Sequence, residues 1–244
     1  MFIDSKDTLK LFRNGIYEKF ETEFFKKEIK HGDIILDIGA NIGYYTLIFA
    51  KHVGKNGKVF AFEPDPTNFS LLKKNVEING YKNVVLINKA VSDKTGKLRL
   101  FLSKDNMGDH RIYDSNEGRK FVEIKSVILD DYFKNKNKKI DFIKMDIQGS
   151  EYGAFKGMSG LLNLNENVRI ISEFWPFGLK KSGVQPFEYL KLITKHGFII
   201  NEISDKKNKI IQIDNPSSLL KEHTITDSYY TNLLCEKKIN IISV

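Results

Sequence analysis

The chain has 244 residues, 41% of them hydrophobic and 29% charged, with five prolines and one cysteine. Such a length suits a single α/β unit, able to bury about 70% of the surface its unfolded form exposes. The lone cysteine, Cys235, excludes an internally disulfide-stapled scaffold, and no Cys/His cluster has structural zinc spacing. The formal net charge of +8 is carried almost wholly by lysines scattered along the chain, which predicts solvated surface rather than a nucleic-acid face. Its densest run, Lys134–Lys139, directly precedes an apolar strand and reads as a solvated turn. No signal-peptide-like apolar stretch opens the chain, and no later run approaches the ~20 residues of a membrane helix, so the expectation is a cytoplasmic protein.

In chain order, residues 5–30 place Phe12, Ile16, Phe20 and Phe24 four apart, with Leu9 and Ile29 near the same stripe, and predict one amphipathic helix. Asp33–Ile38 is a short apolar run ending at glycine, as expected of a strand buried on both faces of a parallel sheet. Residues 43–52 read as a helix and Lys58–Phe62 as a second strand. Asp65 followed by Pro66 marks a helix start, Gly80 its end, and Phe69, Leu72 and Val76 its inner face. Val84–Ile87 is a third strand. This βαβαβ rhythm with short links points to a doubly wound sheet.

The middle departs from the rhythm. Lys97–Leu102 and Phe121–Val127 alternate like strands around a polar loop, Ser103–Lys120, so a β insertion after the third strand is expected. Ile140–Met145 resumes the parallel sheet, Val168–Ser172 supplies the fifth strand, and Pro186–Lys195 is a helix ended by Gly197. Phe198–Ile203, Lys209–Ile213 and Thr231–Glu236 read as closing, partly antiparallel strands. No repeat, linker or domain boundary interrupts the chain.

The informative stretch is DIGANIG, from Asp37 to Gly43. A glycine turn between strand and helix lets a ligand approach the backbone and the helix N-terminus. A dinucleotide site wants G-x-G-x-x-G, but Ala40 and Asn41 follow Gly39, and Asp37 sits badly beside a pyrophosphate. Asp37 suits a cation. S-adenosylmethionine fits better, because it has no phosphates and carries an ammonium and a sulfonium. Glu63, followed by Pro64, ends the second strand where a carboxylate can accept both ribose hydroxyls, and Ala90 and Val91 would flank the adenine.

DIGANIGYYTLIFA, FEPDPTNFSLLKKNVEING, AVSDKTG and KMDIQGSE together resemble the FkbM-type family of S-adenosylmethionine-dependent methyltransferases, over roughly residues 33–200. The resemblance implies a Rossmann-like class I methyltransferase fold: a mostly parallel seven-stranded sheet, helices on both faces, and the β insertion after strand three. Residues 1–32 would then be a helical cap packed on a methyltransferase domain of residues 33–244. The implied activity is O-methylation, often of sugar hydroxyls on glycans or natural products. Gln148 stands where the family commonly has a carboxylate.

Transfer to a hydroxyl is an in-line displacement, so the protein must align the acceptor and help remove its proton. Asp146, ending the fourth strand, could accept that proton, orient the hydroxyl or ligate a divalent cation. Lys144, two residues earlier, lies on the same side of the strand and could pair with Asp146 or hold the acceptor. Glu173 could complete a carboxylate pair, and Trp175 could offer an aromatic wall to a sugar ring. His110, in the polar loop, has a pKa suited to base chemistry near neutrality. Arg111 could bind an anionic acceptor. Glu151 would steady the loop after Asp146 or face solvent. With Gln148 leaving few charged oxygens for a hard cation, metal-free chemistry is expected. The expected partner is a small-molecule or glycan acceptor. The rivals are a nucleic-acid methyltransferase, a nicotinamide-dependent dehydrogenase and a non-catalytic cofactor-binding module.

Overall fold

A computed structural model of the chain describes residues 1–7, 9–135, 139–204, 207–221, 226 and 228–237. Within the basic run Lys134–Lys139, residues 136–138 lie outside these described residues. Two helices, α1 (Leu11–Asn14) and α2 (Lys19–Glu28), precede β1 (Ile34–Ile38), α3 (Tyr44–Val53), β2 (Lys58–Phe62), α4 (Pro66–Ile78) and β3 (Val84–Ile87). The insertion follows as β4 (Ala90–Val91), β5 (Gly96–Phe101) and β6 (Phe121–Val127). Then come α5 (Leu129–Phe133), β7 (Phe142–Met145), α6 (Glu151–Lys156), α7 (Ser159–Leu164), β8 (Arg169–Phe174), α8 (Pro176–Lys181) and α9 (Pro186–Lys195). The chain closes with β9 (Phe198–Ser204), β10 (Lys209–Gln212), α10 (Ser218–Lys221) and β11 (Thr231–Lys237).

The main sheet has eight strands in the order β10-β9-β11-β8-β7-β1-β2-β3. The five from β3 to β8 run parallel, whereas β11 pairs antiparallel with both β8 and β9, and β10 antiparallel with β9. This corrects the expected count of seven: β9 and β10 form an edge hairpin that adds a strand beyond the parallel block. β1, β2, β7 and β8 are buried almost end to end, as strands covered on both faces must be. Leu36, Ile38, Ile143 and Met145 enter the core on one face; Ile35 and Phe142 enter the other beneath Phe25 of α2 and Phe49 of α3. Asp37 of β1 stands opposite Lys144 of β7, on that second face.

Local chemistry explains most boundaries. Asp65 caps α4, its carboxylate accepting the Thr67 and Asn68 N–H groups, with proline in the first turn. The insertion is a separate three-stranded sheet in the order β4-β6-β5. Its short strand β4 pairs parallel with β6 and carries Ala90 and Val91.

The N-terminal segment departs from expectation. Residues 5–30 do not form one helix: Gly15 ends α1 in the left-handed region (φ +71°), and Glu18 enters α2 at φ +41°. The break rotates the apolar stripe. Phe12 is left 88% exposed, while Phe25, outside the fourfold spacing, is fully buried against Tyr45, Phe49 and Phe142. Phe25→Ala is therefore expected to cost about 3–5 kcal/mol in denaturant unfolding, while Phe12→Ala stays within about 0.5 kcal/mol. Equal effects would mean that α2 does not dock as described.

Candidate functional site

Strand order reverses between β1 and β7: the chain winds outward through β2 and β3 on one side and through β8 on the other. Ligands of open α/β sheets bind at the carboxyl ends of strands at such a switch point. A cavity of about 150 Å³ lies there, lined by the turn after β1, the ends of β2 and β7, and the start of β4. Among the sequence-predicted residues, Asp37, Gly39, Ala40, Asn41, Glu63, Pro64, Ala90, Val91, His110, Lys144 and Asp146 line it.

One half is built by the β1 turn. A Cβ on Gly39 would sit 2.0 Å from the Asp146 carbonyl oxygen, and its φ is +83°, so only glycine lets the turn close against β7. The Asp37 carboxylate is buried; Oδ2 accepts the Thr46 hydroxyl, while Oδ1 has no hydrogen-bond partner among the described residues. Burial raises the Asp37 pKa, against the opposing pull of Lys144 and the Thr46 hydroxyl. A buried, half-satisfied carboxylate on a cavity wall is what a ligand ammonium would complete. Glu63 accepts the Asn41 and Asp65 backbone N–H groups, each at 2.8 Å. Burial nonetheless pushes its carboxyl up to about 8. Each Glu63 oxygen keeps a lone pair for a ribose hydroxyl. These features fit the expected S-adenosylmethionine.

The other half gathers charge around Lys144. Its ammonium is buried, 3.5 Å from Asp146 Oδ2 and 4.7 Å from the centre of the Tyr45 ring. Burial disfavours that charge, but Asp146, Glu21, Glu18 and Asp37 outweigh it and raise the Lys144 pKa. Lys144 thus stands as a cation paired with Asp146, one of the two roles its place on the strand suggests. Gln148 was noted in the sequence only as a departure. It donates from Nε2 to Asp146 Oδ1 at 2.9 Å and to both Glu173 oxygens at 3.2 and 3.3 Å. Burial first, then Asp146, Glu151 and Glu18, hold Glu173 well above the usual carboxylate range. Glu151 steadies the loop: its Oε1 accepts the Ile147 and Gly149 N–H groups, and burial lifts its carboxyl to about 7. Tyr17 lines the same end of the cavity, and Glu18 accepts the Tyr45 hydroxyl at 2.8 Å. Sequence reasoning missed Tyr17 as a neighbour of Asp146, and Glu18 and Glu21 as neighbours of Lys144. No local signal could reveal them, because they arrive from the opposite end of the core.

The loop between β5 and β6 covers the cavity, and three of the predicted residues, His110, Arg111 and Trp175, make contacts within it or against it. His110 lines the cavity, but its Nδ1 accepts the Ser103 N–H at 3.0 Å, so the neutral ring presents Nε2–H, a donor rather than a base. Burial lowers its pKa and keeps it neutral, against the pull of Asp65 and Asp109. Arg111 and Trp175 do not line the cavity. The Arg111 guanidinium is spent on Asp109 at 2.8 Å and Glu117 at 3.0 Å, and lies 4.7 Å over the Trp175 ring. That stack closes the loop onto α8 instead of meeting a sugar. Among the described residues no group of three or more metal-ligating side chains converges.

The doubly wound sheet, with Asp37 near the end of β1 and Glu63 directly after β2 on one cavity, has the α/β fold of class I methyltransferases. The chain belongs to the family described as the methyltransferase FkbM domain, whose profile matches residues 37–205. It is 27% identical over 171 residues to hexuronic acid methyltransferase AglP of Haloferax volcanii, an alignment covering 69% of this chain and 64% of that protein. The match thus spans just under two thirds of that relative's length. It is 25% identical over 225 residues to methyltransferase sdnD of Sordaria araneosa, covering 75% and 84%. Among solved structures it resembles the methyltransferase FkbM of Methylobacillus flagellatus (TM-score 0.53, 16% identity, 96% of this chain and 48% of that one). It also resembles a SAM-dependent methyltransferase of Aquifex aeolicus (TM-score 0.51, 16% identity, 96% and 98%).

The Glu63 environment sets a pH dependence. At pH 7 the free carboxyl, displaced to about 8, is mostly protonated, and accepting two ribose hydroxyls favours its ionised form. Affinity for methylthioadenosine, which carries the ribose but no amino-acid group, should therefore rise with pH by up to about tenfold per unit and level off above about 8. Glu63→Gln should flatten the profile. A flat wild-type profile between pH 6 and 8 would place the ribose elsewhere.

Proposed function

We propose that the chain is an S-adenosylmethionine-dependent O-methyltransferase that acts on an uncharged hydroxyl of a sugar or glycan, with residues 1–32 as a helical cap over the acceptor side of a single domain. The observation that carries this reading is the position of Asp146. Its side chain is 26% exposed on the cavity wall, next to a Lys144 side chain that is only 6% exposed. Glu173 and Glu151 stand behind it, buried and pushed toward their neutral forms.

When bound, the cofactor supplies a methyl group already activated by its sulfonium. The chain does the rest. Asp37, whose Oδ1 has no partner among the described residues, would hold the ammonium, Glu63 the ribose, and Ala90 and Val91 the adenine. Tyr17 and Tyr45 wall the acceptor end, where aromatic faces suit the apolar face of a sugar ring. With S-adenosylmethionine in place, Asp146 would take the proton of the acceptor hydroxyl that is methylated. The Lys144 ammonium, 3.5 Å from Asp146 Oδ2, can donate to the acceptor oxygen.

The acceptor's charge follows from the same cluster. Asp146, Glu18 and Glu21 act on the Lys144 ammonium, and the nearby Arg111 is neutralised by Asp109 and Glu117. The relative from Haloferax volcanii is named for a hexuronic acid. A carboxylated ring brought to this cavity would meet like charge, so a neutral hydroxyl acceptor is favoured. Nucleic acid is disfavoured on the same ground, the +8 lying on dispersed lysines rather than around the cavity.

Two outcomes test this. Mass spectrometry with S-adenosylmethionine should find methylated hexosides at least about tenfold ahead of the matching hexuronides, a difference of ~1.4 kcal/mol in transition-state binding. Equal or reversed preference would contradict the neutral-acceptor reading. Asp146→Asn should lower turnover by ~10²–10⁴, the scale of a lost general base. Full activity in that variant would refute the role.

A further inference from the structure

We propose that Gln148 is the positioning residue for Asp146: its side-chain amide, anchored from the covering loop through Tyr113, fixes the carboxylate that faces the acceptor. The inference rests on Asp146 as the proton acceptor of the proposed reaction. Its foundation is geometric. Nε2 of Gln148 donates to Asp146 Oδ1 at 2.9 Å and reaches Glu173 on the neighbouring strand at 3.2 Å, so one amide spans both carboxylates. With Lys144 3.5 Å from Oδ2, each Asp146 oxygen has a donor, and the plane of the carboxylate is set from both sides.

The backbone of Gln148 is held as firmly as its side chain. It adopts the left-handed region at φ +55°, uncommon for a residue with a Cβ and retained where the surroundings over-determine it. Those surroundings are on either side of it. Glu151 accepts the N–H groups of Ile147 and Gly149, and Tyr113 donates its hydroxyl to the Gln148 carbonyl at 2.9 Å. Gly149 leaves no room to relax: a Cβ there would lie 2.6 Å from the Gly178 carbonyl carbon and 2.8 Å from the Tyr113 hydroxyl. Tyr113 belongs to the loop whose residues Asn106, Met107, His110 and Ile112 line the cavity. A single chain of contacts therefore runs from the covering loop through Tyr113 and Gln148 to Asp146.

Glutamine, not glutamate, is what the position requires. The charged and titratable groups facing Asp146 are Lys144 on its own strand, Asp37 on β1, Glu173 on β8, Glu151 on α6 and Tyr17 ahead of α2. Three of these are carboxylates. An amide adds two donors without adding a further like charge, whereas a fourth neighbouring carboxylate would make the cluster retain a proton at higher pH.

The test uses the full chain. In Gln148→Leu, which keeps bulk but removes the donor, kcat for methyl transfer to a hexoside should fall ~10- to 100-fold, the scale of a lost hydrogen bond to a charged group. KM for S-adenosylmethionine should stay within about threefold. In Gln148→Glu the acidic limb of the pH–rate profile should move to higher pH, a displacement that a merely structural residue would not cause. Nuclear magnetic resonance supplies an independent reading: the Gln148 side-chain amide protons, assigned by their loss in Gln148→Leu, should shift in Asp146→Asn. Wild-type kcat in Gln148→Leu, an unmoved limb in Gln148→Glu, or amide protons indifferent to Asp146→Asn would each overturn the proposal. If the wild type methylates no hexoside, the proposed acceptor class fails, and the amide protons alone decide the role of Gln148.

Discussion

The site is organised by one buried ammonium. Lys144 stands in the middle of an otherwise apolar parallel strand, where an unpaired charge would be too costly to keep. It is tolerated because Asp37 is its neighbour in register on β1, Asp146 follows it on β7, and Glu18 and Glu21 arrive from α2. Removing either side of that balance leaves uncompensated charge in the core. The cofactor half and the acceptor half of the cavity are therefore electrostatically one unit. Asp37, which faces the proposed ammonium, and Asp146, which faces the proposed hydroxyl, are held by the same lysine.

The fold supplies the register that makes this arrangement possible. Parallel pairing of β1 with β7 brings Asp37 level with Lys144, and the missing Cβ of Gly39 lets the β1 turn close onto the Asp146 carbonyl. The N-terminal segment then caps the cluster. Phe25 inserts among Tyr45, Phe49 and Phe142, while Glu18 accepts the Tyr45 hydroxyl and Glu21 the Asn232 amide. Hydrophobic docking of α2 thus accompanies the approach of Glu18 and Glu21 to Lys144, in a part of the chain that lies outside the family match at residues 37–205.

What was legible in the sequence follows the range of each signal. The apolar runs of β1, β2 and β3, the Asp65–Pro66 start of α4 and the Pro186 start of α9 are local, and each element forms where its residues indicate. The glycine turn was legible too, since a carboxylate before Gly39 and non-glycines after it already disfavour a pyrophosphate. Short helices such as α5 to α8, of five or six residues, give too little periodicity to be seen. The N-terminal helix was overextended because the fourfold phenylalanine spacing continues through a break that only backbone geometry at Gly15 and Glu18 reveals. In the site, residue type does not reveal the partners that each side chain finds. His110 has a suitable pKa but a ring nitrogen already engaged by Ser103, and Arg111 has the right charge but has spent it on Asp109 and Glu117. Those partners follow from the loop's conformation, which no spacing rule encodes.

In the proposed mechanism, one cavity at the β1–β7 switch point holds S-adenosylmethionine through Asp37 while Asp146 serves only the acceptor. Calorimetric titration of S-adenosylhomocysteine into the wild type, Asp37→Asn and Asp146→Asn tests it most directly. The account predicts binding by the wild type, a loss of ~10- to 100-fold in Asp37→Asn, the scale of a hydrogen bond to a charged group, and affinity within a few-fold of wild type in Asp146→Asn. Tighter binding of NAD than of S-adenosylhomocysteine, or equal losses in the two variants, would contradict it.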